Sequence, residues 1–74
     1  MKNKIKQLRK ELGLRQEDMA DKLDVTRQTI IAIENDKYNP SLELAMKIAR
    51  LFGLHVEDVF KLEDWVPERM PDAR

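Results

Sequence analysis

Residues 16–34 read QEDMADKLDVTRQTIIAIE, and the fold turns on this stretch. Met19, Ala20 and Leu23 recur at spacings of three and four, which marks one apolar face of a helix over Gln16–Leu23. Glu17 and Asp18 stand in its first turn, where acids favour the positive end of the helix dipole. Asp24-Val25 breaks the period. Thr26 is a good N-cap for a second helix, from about Arg27 to Glu34. Ile30 and Ile33, helped by Val25, point to one side of it. Arg27, Gln28 and Ile31 are related by three and four and form an outward stripe. Two short helices joined by about three residues, Asp24 to Thr26, cross at a steep angle. The second helix then stands proud of the body.

A helix placed this way suits the major groove of double-stranded DNA, whose base edges meet the helix's N-terminal residues. Arg makes bidentate contacts with guanine, Gln with adenine, and an aliphatic side chain packs on a thymine methyl. The spacing by itself is only moderately specific, because two-helix corners are common in all-α proteins. An isoleucine at position 31, expected on the exposed stripe, adds weight, although single exposed apolar residues are also normal.

Outward from this corner the pattern stays helical. Ile5, Leu8 and Leu12 make the apolar face of a first helix over about 3–12, and Gly13-Leu14 is the Schellman signal that ends it. Residues 35–40 have no apolar period, end in Pro40 and read as a loop, with Asp36 able to adopt the left-handed conformation that stops a helix. Ser41 caps a fourth helix over 42–52, with Leu44 or Ala45, Ile48, Ala49 and Phe52 inside and Met46 on its surface. Gly53-Leu54 repeats the earlier stop. A short fifth helix over 56–60 buries Val59 and Phe60. The expectation is an all-α, five-helix domain over residues 1–66. A short strand from Leu62, Trp65 and Val66 would pair with the N-terminal residues. Pro67 and Pro71 make 67–74 a flexible tail. Trp65, alone in a polar tail, should bury against its own domain or at a subunit boundary.

Composition narrows the function. The 74 residues carry 14 Lys or Arg and 14 Asp or Glu, a net charge of zero, and 38% of residues are charged. The distribution is polarised: residues 1–40 carry +2 and residues 41–74 carry −2, and a partner feels the local field. With no Cys, disulfides and thiolate metal sites are excluded. The single His55 precedes the fifth helix and reads as a surface or capping residue. A Ser-His-Asp triad is formally possible but would have to use it. The acid pairs Glu57-Asp58 and Glu63-Asp64 lack a convergent partner, and the four Met residues are scattered. The expectation is therefore no enzyme, no catalytic residue, no metal, no cofactor and no small-molecule ligand. The longest apolar run is Ile30–Ile33, too short for a membrane span or a visible signal peptide, and the expected location is the cytoplasm.

Taken together, Gln16-Glu17-Asp18-Met19-Ala20, Val25-Thr26-Arg27-Gln28-Thr29-Ile30, Ile33-Glu34-Asn35 and the loop Lys37-Tyr38-Asn39-Pro40-Ser41-Leu42 resemble the XRE family. These are the λ- and 434-repressor/Cro-like helix-turn-helix regulators, and the resemblance is closest to their small single-domain members. It covers about residues 4–60. It implies a λ-repressor-like fold, a homodimer and a recognition helix at Arg27–Glu34, with Arg27, Gln28, Thr29 and Ile31 as base contacts. By the same resemblance Gln16 touches a phosphate and braces the recognition helix, and Arg9 pairs with Glu34 across helices. Arg15, Asn35, Lys37, Tyr38 and Asn39 are the further candidates for the DNA backbone. Asn35 and Asn39 also fit ordinary turn chemistry. The candidate dimer surface is Asn39, Leu42, Leu54 and Val56.

Three positions depart from the family's pattern. Arg15 stands where Ser or Thr often caps the second helix, so that cap is lost or supplied by Gln16 or water, and Arg15 is available to DNA. Asp24 and Asp36 stand where Gly is frequent. Asp adopts the left-handed conformation at some cost, and both residues add negative charge near the binding face. Two function classes remain: a sequence-specific regulator, expected to be a repressor binding a palindromic operator, and a protein-binding module of the same fold, such as an antitoxin-like partner or a transcription adaptor. The outward stripe and donor-rich loop favour the first.

Overall fold

The computed structural model describes residues 1–62 and 65–68. Five helices carry the fold: α1 (Ile5–Glu11), α2 (Gln16–Leu23), α3 (Arg27–Glu34), α4 (Leu42–Phe52) and α5 (Val56–Val59). Two strands, β1 (Lys2–Asn3) and β2 (Phe60–Lys61), pair antiparallel with Lys2 opposite Lys61 and Asn3 opposite Phe60. The Lys4 N–H donates to the Val59 carbonyl at 2.9 Å and extends this ribbon into the start of α1.

One device ends four of the five helices. Gly13, Asp24, Asp36 and Gly53 all have φ between 57° and 71°. In each case the next residue donates its N–H to a carbonyl five positions back: Leu14 to Arg9, Val25 to Ala20, Lys37 to Ala32, and Leu54 to Ala49, at 2.9–3.0 Å. This is the Schellman closure, which satisfies carbonyls that the helix leaves unpaired. Aspartate tolerates the left-handed region where most residues do not, so Asp24 and Asp36 keep the turns that glycine would make. At Gly13 and Gly53 a Cβ would meet nothing within 4 Å, so backbone conformation, not crowding, selects glycine there. Thr26 and Ser41 cap α3 and α4, accepting from the N–H of Thr29 and Leu44, both at 3.2 Å.

Every helix contributes to one core: α1 supplies Ile5, α2 Met19, Ala20 and Leu23, α3 Ile30 and Ile33, α4 Ala45, Ile48 and Ala49, α5 Val59, and β2 Phe60. Leu8, Val25, Leu44, Leu51, Phe52 and Val56 are half-buried against it.

Several expectations are corrected here. α1 begins at Ile5, not at residue 3, because Lys2 and Asn3 are paired in β1. The strand that joins the N-terminal residues is Phe60–Lys61, not Leu62, Trp65 and Val66, and Phe60 belongs to it and not to the fifth helix. Leu12 is exposed, because the chain leaves the helix there to make the Gly13 turn. Trp65 is 62% exposed, so it is not buried against its own domain. The acid pair Glu63-Asp64 and the tail expected at 67–74, from residue 69 onward, lie outside the described residues. No described helix is long and apolar enough to cross a membrane.

Candidate nucleic-acid interface

The N-terminal end of α3 is set by a chain of polar contacts that begins on α1. Arg9, although charged, is buried. Its Nε lies 2.7 Å from Glu34 Oε2 and its Nη2 donates to Glu34 Oε1 at 3.3 Å, a two-point grip, while Nη1 donates to the Leu14 carbonyl at 3.0 Å. Planar guanidinium matches carboxylate in this way, and lysine would not. The Glu34 side chain is only 2% exposed. Its Oε1 also accepts from Gln16 Nε2 at 3.2 Å. Gln16 in turn accepts, at Oε1, from Arg27 Nε at 3.5 Å. The path Arg9–Glu34–Gln16–Arg27 thus joins α1, both ends of α3 and the start of α2. No buried side-chain nitrogen or oxygen among the described residues lacks a partner.

Arg27 and Gln28 are exposed on the first turn of α3. Thr29 is half-buried, with its hydroxyl 2.9 Å from that of Thr26. Ile31 is half-buried and not fully exposed, because Ile30 and Ile33 draw its side of α3 toward the body. Asn35, Lys37, Tyr38 and Asn39 are all exposed on the loop that leaves α3.

Arg15 departs from the expected arrangement. Its backbone N–H donates to Asp18 Oδ2 at 3.0 Å, and its guanidinium donates to both oxygens of the same carboxylate at 3.1 Å. Glu17 closes on it at 2.8 Å. The capping group of α2 is therefore Asp18 reaching back, not Gln16. The guanidinium hydrogen bond, with the backbone N–H, holds the Asp18 carboxyl below its usual range, and Asp18 correspondingly raises Arg15. Both are solvent-facing, so the pair is a local clamp more than a source of stability. Its acids offset the charge that Arg15 presents to the face it shares with Gln16 and Arg27.

Asn3 was not foreseen in the sequence, where it reads as helix. Its Nδ2 donates to the Ile33 carbonyl at 2.8 Å and to Asp36 Oδ1 at 3.0 Å, and its Oδ1 accepts from the Ile5 N–H at 3.1 Å. It ties β1 to the end of α3 and takes up the first N–H of α1, whose N-cap is Lys4 with no side-chain cap bond of its own.

Of the residues expected at a dimer surface, Asn39, Leu42 (73% exposed) and Leu54 are exposed, whereas Val56 is half-buried against the core. Val56 therefore serves its own fold as well as any surface it lines.

The comparisons with known proteins agree in kind. A family model described as helix-turn-helix matches residues 5–59. A relative from Methanocaldococcus jannaschii, described as an uncharacterized HTH-type transcriptional regulator, is 61% identical over 86% of this chain and 97% of its own length. A second, of the same description, from Bacillus subtilis is 52% identical with the same coverage of both chains. The immunity repressor protein of Bacillus phage phi105 is 33% identical over 93% of this chain and 48% of its own length.

Proposed function

We propose, from the premise that the chain belongs to the XRE-type helix-turn-helix family of transcriptional regulators, that it is a sequence-specific repressor. It binds a palindromic operator in double-stranded DNA as a homodimer, in the cytoplasm. α3 enters the major groove with Arg27, Gln28, Thr29 and Ile31 toward base edges. Arg15, Gln16, Asn35, Lys37, Tyr38 and Asn39 hold the phosphates on either side. The activity is binding, with no reaction attached.

The observation that carries this reading is the path that ends on Arg27. A solvent-facing arginine at the start of α3 is held by Gln16, which is itself held by a buried ion pair. A pre-positioned side chain loses less freedom on binding than a free one. A surface arginine with no base to meet has no need of that support. The dimer follows from size. One module covers about 600–1,000 Å² of DNA contact, and two-fold symmetry doubles this by presenting two recognition helices about 34 Å apart. The dimer surface is Asn39, Leu42, Leu54 and the outer edge of Val56, away from α3.

Selection of bound sequences from a random duplex pool tests the proposal. Enrichment of a palindrome with half-sites one helical turn apart is the expected result. No enrichment would favour a protein-binding module on the same fold.

A further inference from the structure

Two exposed apolar patches remain outside the DNA-facing surface. One lies on α4, where Leu42 (73% exposed) and Met46 (45%) stand one helical turn apart. With Glu43, Lys47 and Arg50 they line an open groove of about 530 Å³. The other is the segment after β2, where Leu62, Trp65 and Val66 are 64%, 62% and 75% exposed. These five residues are more than half of the large apolar side chains left exposed in the described chain. Adjoining apolar exposure on this scale marks an interaction surface.

We propose that the segment Leu62–Val66 of one chain docks in the α4 groove of a second copy, with Trp65 as the anchor between Leu42 and Met46. This rests on the homodimer reading above and adds a second, reciprocal contact to it. Three observations select this occupant. First, the charges are complementary. Residues 62–68 carry Glu63, Asp64 and Glu68 and no base, while the groove is flanked by Arg50 and by Lys47, which lies 3.2 Å from Glu43 and leaves the groove net positive. Second, the arm starts from a fixed point. Phe60 is buried and paired in the ribbon, and the four residue steps from Lys61 to Trp65 span at most about 14 Å. A short tether of this kind presents Trp65 to a neighbour at little entropic cost. Third, each patch stands uncovered by the other within one folded chain, and Leu42 also belongs to the proposed dimer surface. A lone tryptophan with aliphatic flanks is the side chain most suited to anchor such a contact.

Trp65 is the only tryptophan, so its fluorescence reports the docking directly. Emission and sedimentation are measured on the full chain over a dilution series, for wild type and for Met46→Asp. Met46 is exposed on α4 and is none of the residues assigned to DNA. The expected result is that wild-type emission moves to shorter wavelength as dimer forms. In Met46→Asp it stays at the solvent-exposed value, with dimerisation weaker by roughly tenfold, as for loss of one anchor contact. A dimer whose Trp65 emission remains at the solvent-exposed value overturns the docking and leaves the dimer reading intact. A wild type that stays monomeric at all concentrations overturns both. A blue-shifted emission that does not change on dilution to monomer means docking on the same chain, and overturns the exchange between copies.

Discussion

The two sides of this molecule share one core and differ in what is added to it. α3 buries Ile30 and Ile33 there, and polar bonds fix it further: Arg9, Glu34, Gln16 and Arg27 form one path, and Asn3 closes on the end of the same helix. Around α4 and α5 the elements are held by apolar burial of Ile48, Ala49, Val59 and Phe60, and apolar side chains are left over on the outside. Directional bonds fix the orientation of a helix and the aim of its side chains. Apolar contact supplies stability but little direction. A helix that must present particular atoms to base edges needs the first kind of support. A surface that meets a copy of itself can use the second.

The comparison is broken most sharply at Glu34. Glu34→Ala leaves Arg9 buried without its partner and should destabilise by about 3–5 kcal/mol, more than the double variant Arg9→Ala/Glu34→Ala. A double-mutant cycle in urea checks this, and coupling near zero would reduce the polar side to surface decoration. On the apolar side Ile48→Ala should lower stability by about 2–4 kcal/mol through the cavity it leaves. While the variant is folded, its preferred DNA site should be unchanged. A shifted site would mean that the two sides are not separable. Asn3→Ala strips the Ile5 N–H of its acceptor and the Ile33 carbonyl of a donor, and should cost about 1–2 kcal/mol in the same assay.

The smallest effect belongs to Asp18. Its carboxyl is held below the ordinary value of 3.8 by the Arg15 side chain and backbone N–H. Its contribution is therefore complete above that value and is lost as pH falls through the lowered one. Wild type and Asp18→Asn should differ by a constant amount at neutral pH, and the difference should shrink as pH falls through 3.8 and the lowered folded-state value. A difference that does not change with pH would show that the clamp does not exist in solution.

Much of this was legible in the sequence, for identifiable reasons. The spans of α2, α3 and α4 follow from apolar period together with a cap or a stop at each end, and the left-handed stops at Gly13, Asp36 and Gly53 announce themselves by residue type. The ribbon did not, because two-residue strands carry no period. Lys2-Asn3 is indistinguishable from a helix start until its partner, Phe60-Lys61, is known. The exposure of Leu12 and the half-burial of Ile31 do not follow from helical spacing, which gives a side chain's direction but neither where the helix ends, as at Leu12, nor how much of Ile31 its surroundings cover. In the candidate site, the residue types on α3 and the loop can be read directly. The link from Gln16 to Arg27 spans eleven positions and needs the crossing of two helices to appear. Asp18 as the cap of α2 is hidden in the sequence, because the cap position itself holds Arg15 and the capping acid stands three residues later.

The central claim is that α3 reads bases while the loop after it holds phosphates. It is tested most directly by measuring Arg27→Ala and Lys37→Ala against the duplex selected by wild type and against single-base variants of it, over a range of salt. Arg27→Ala should lose about 1–3 kcal/mol on the selected site and its preference at one base pair of each half-site. Lys37→Ala should weaken all duplexes alike and lower the salt slope by about one. An Arg27→Ala protein with unchanged affinity and unchanged base preference would mean that α3 does not read the bases.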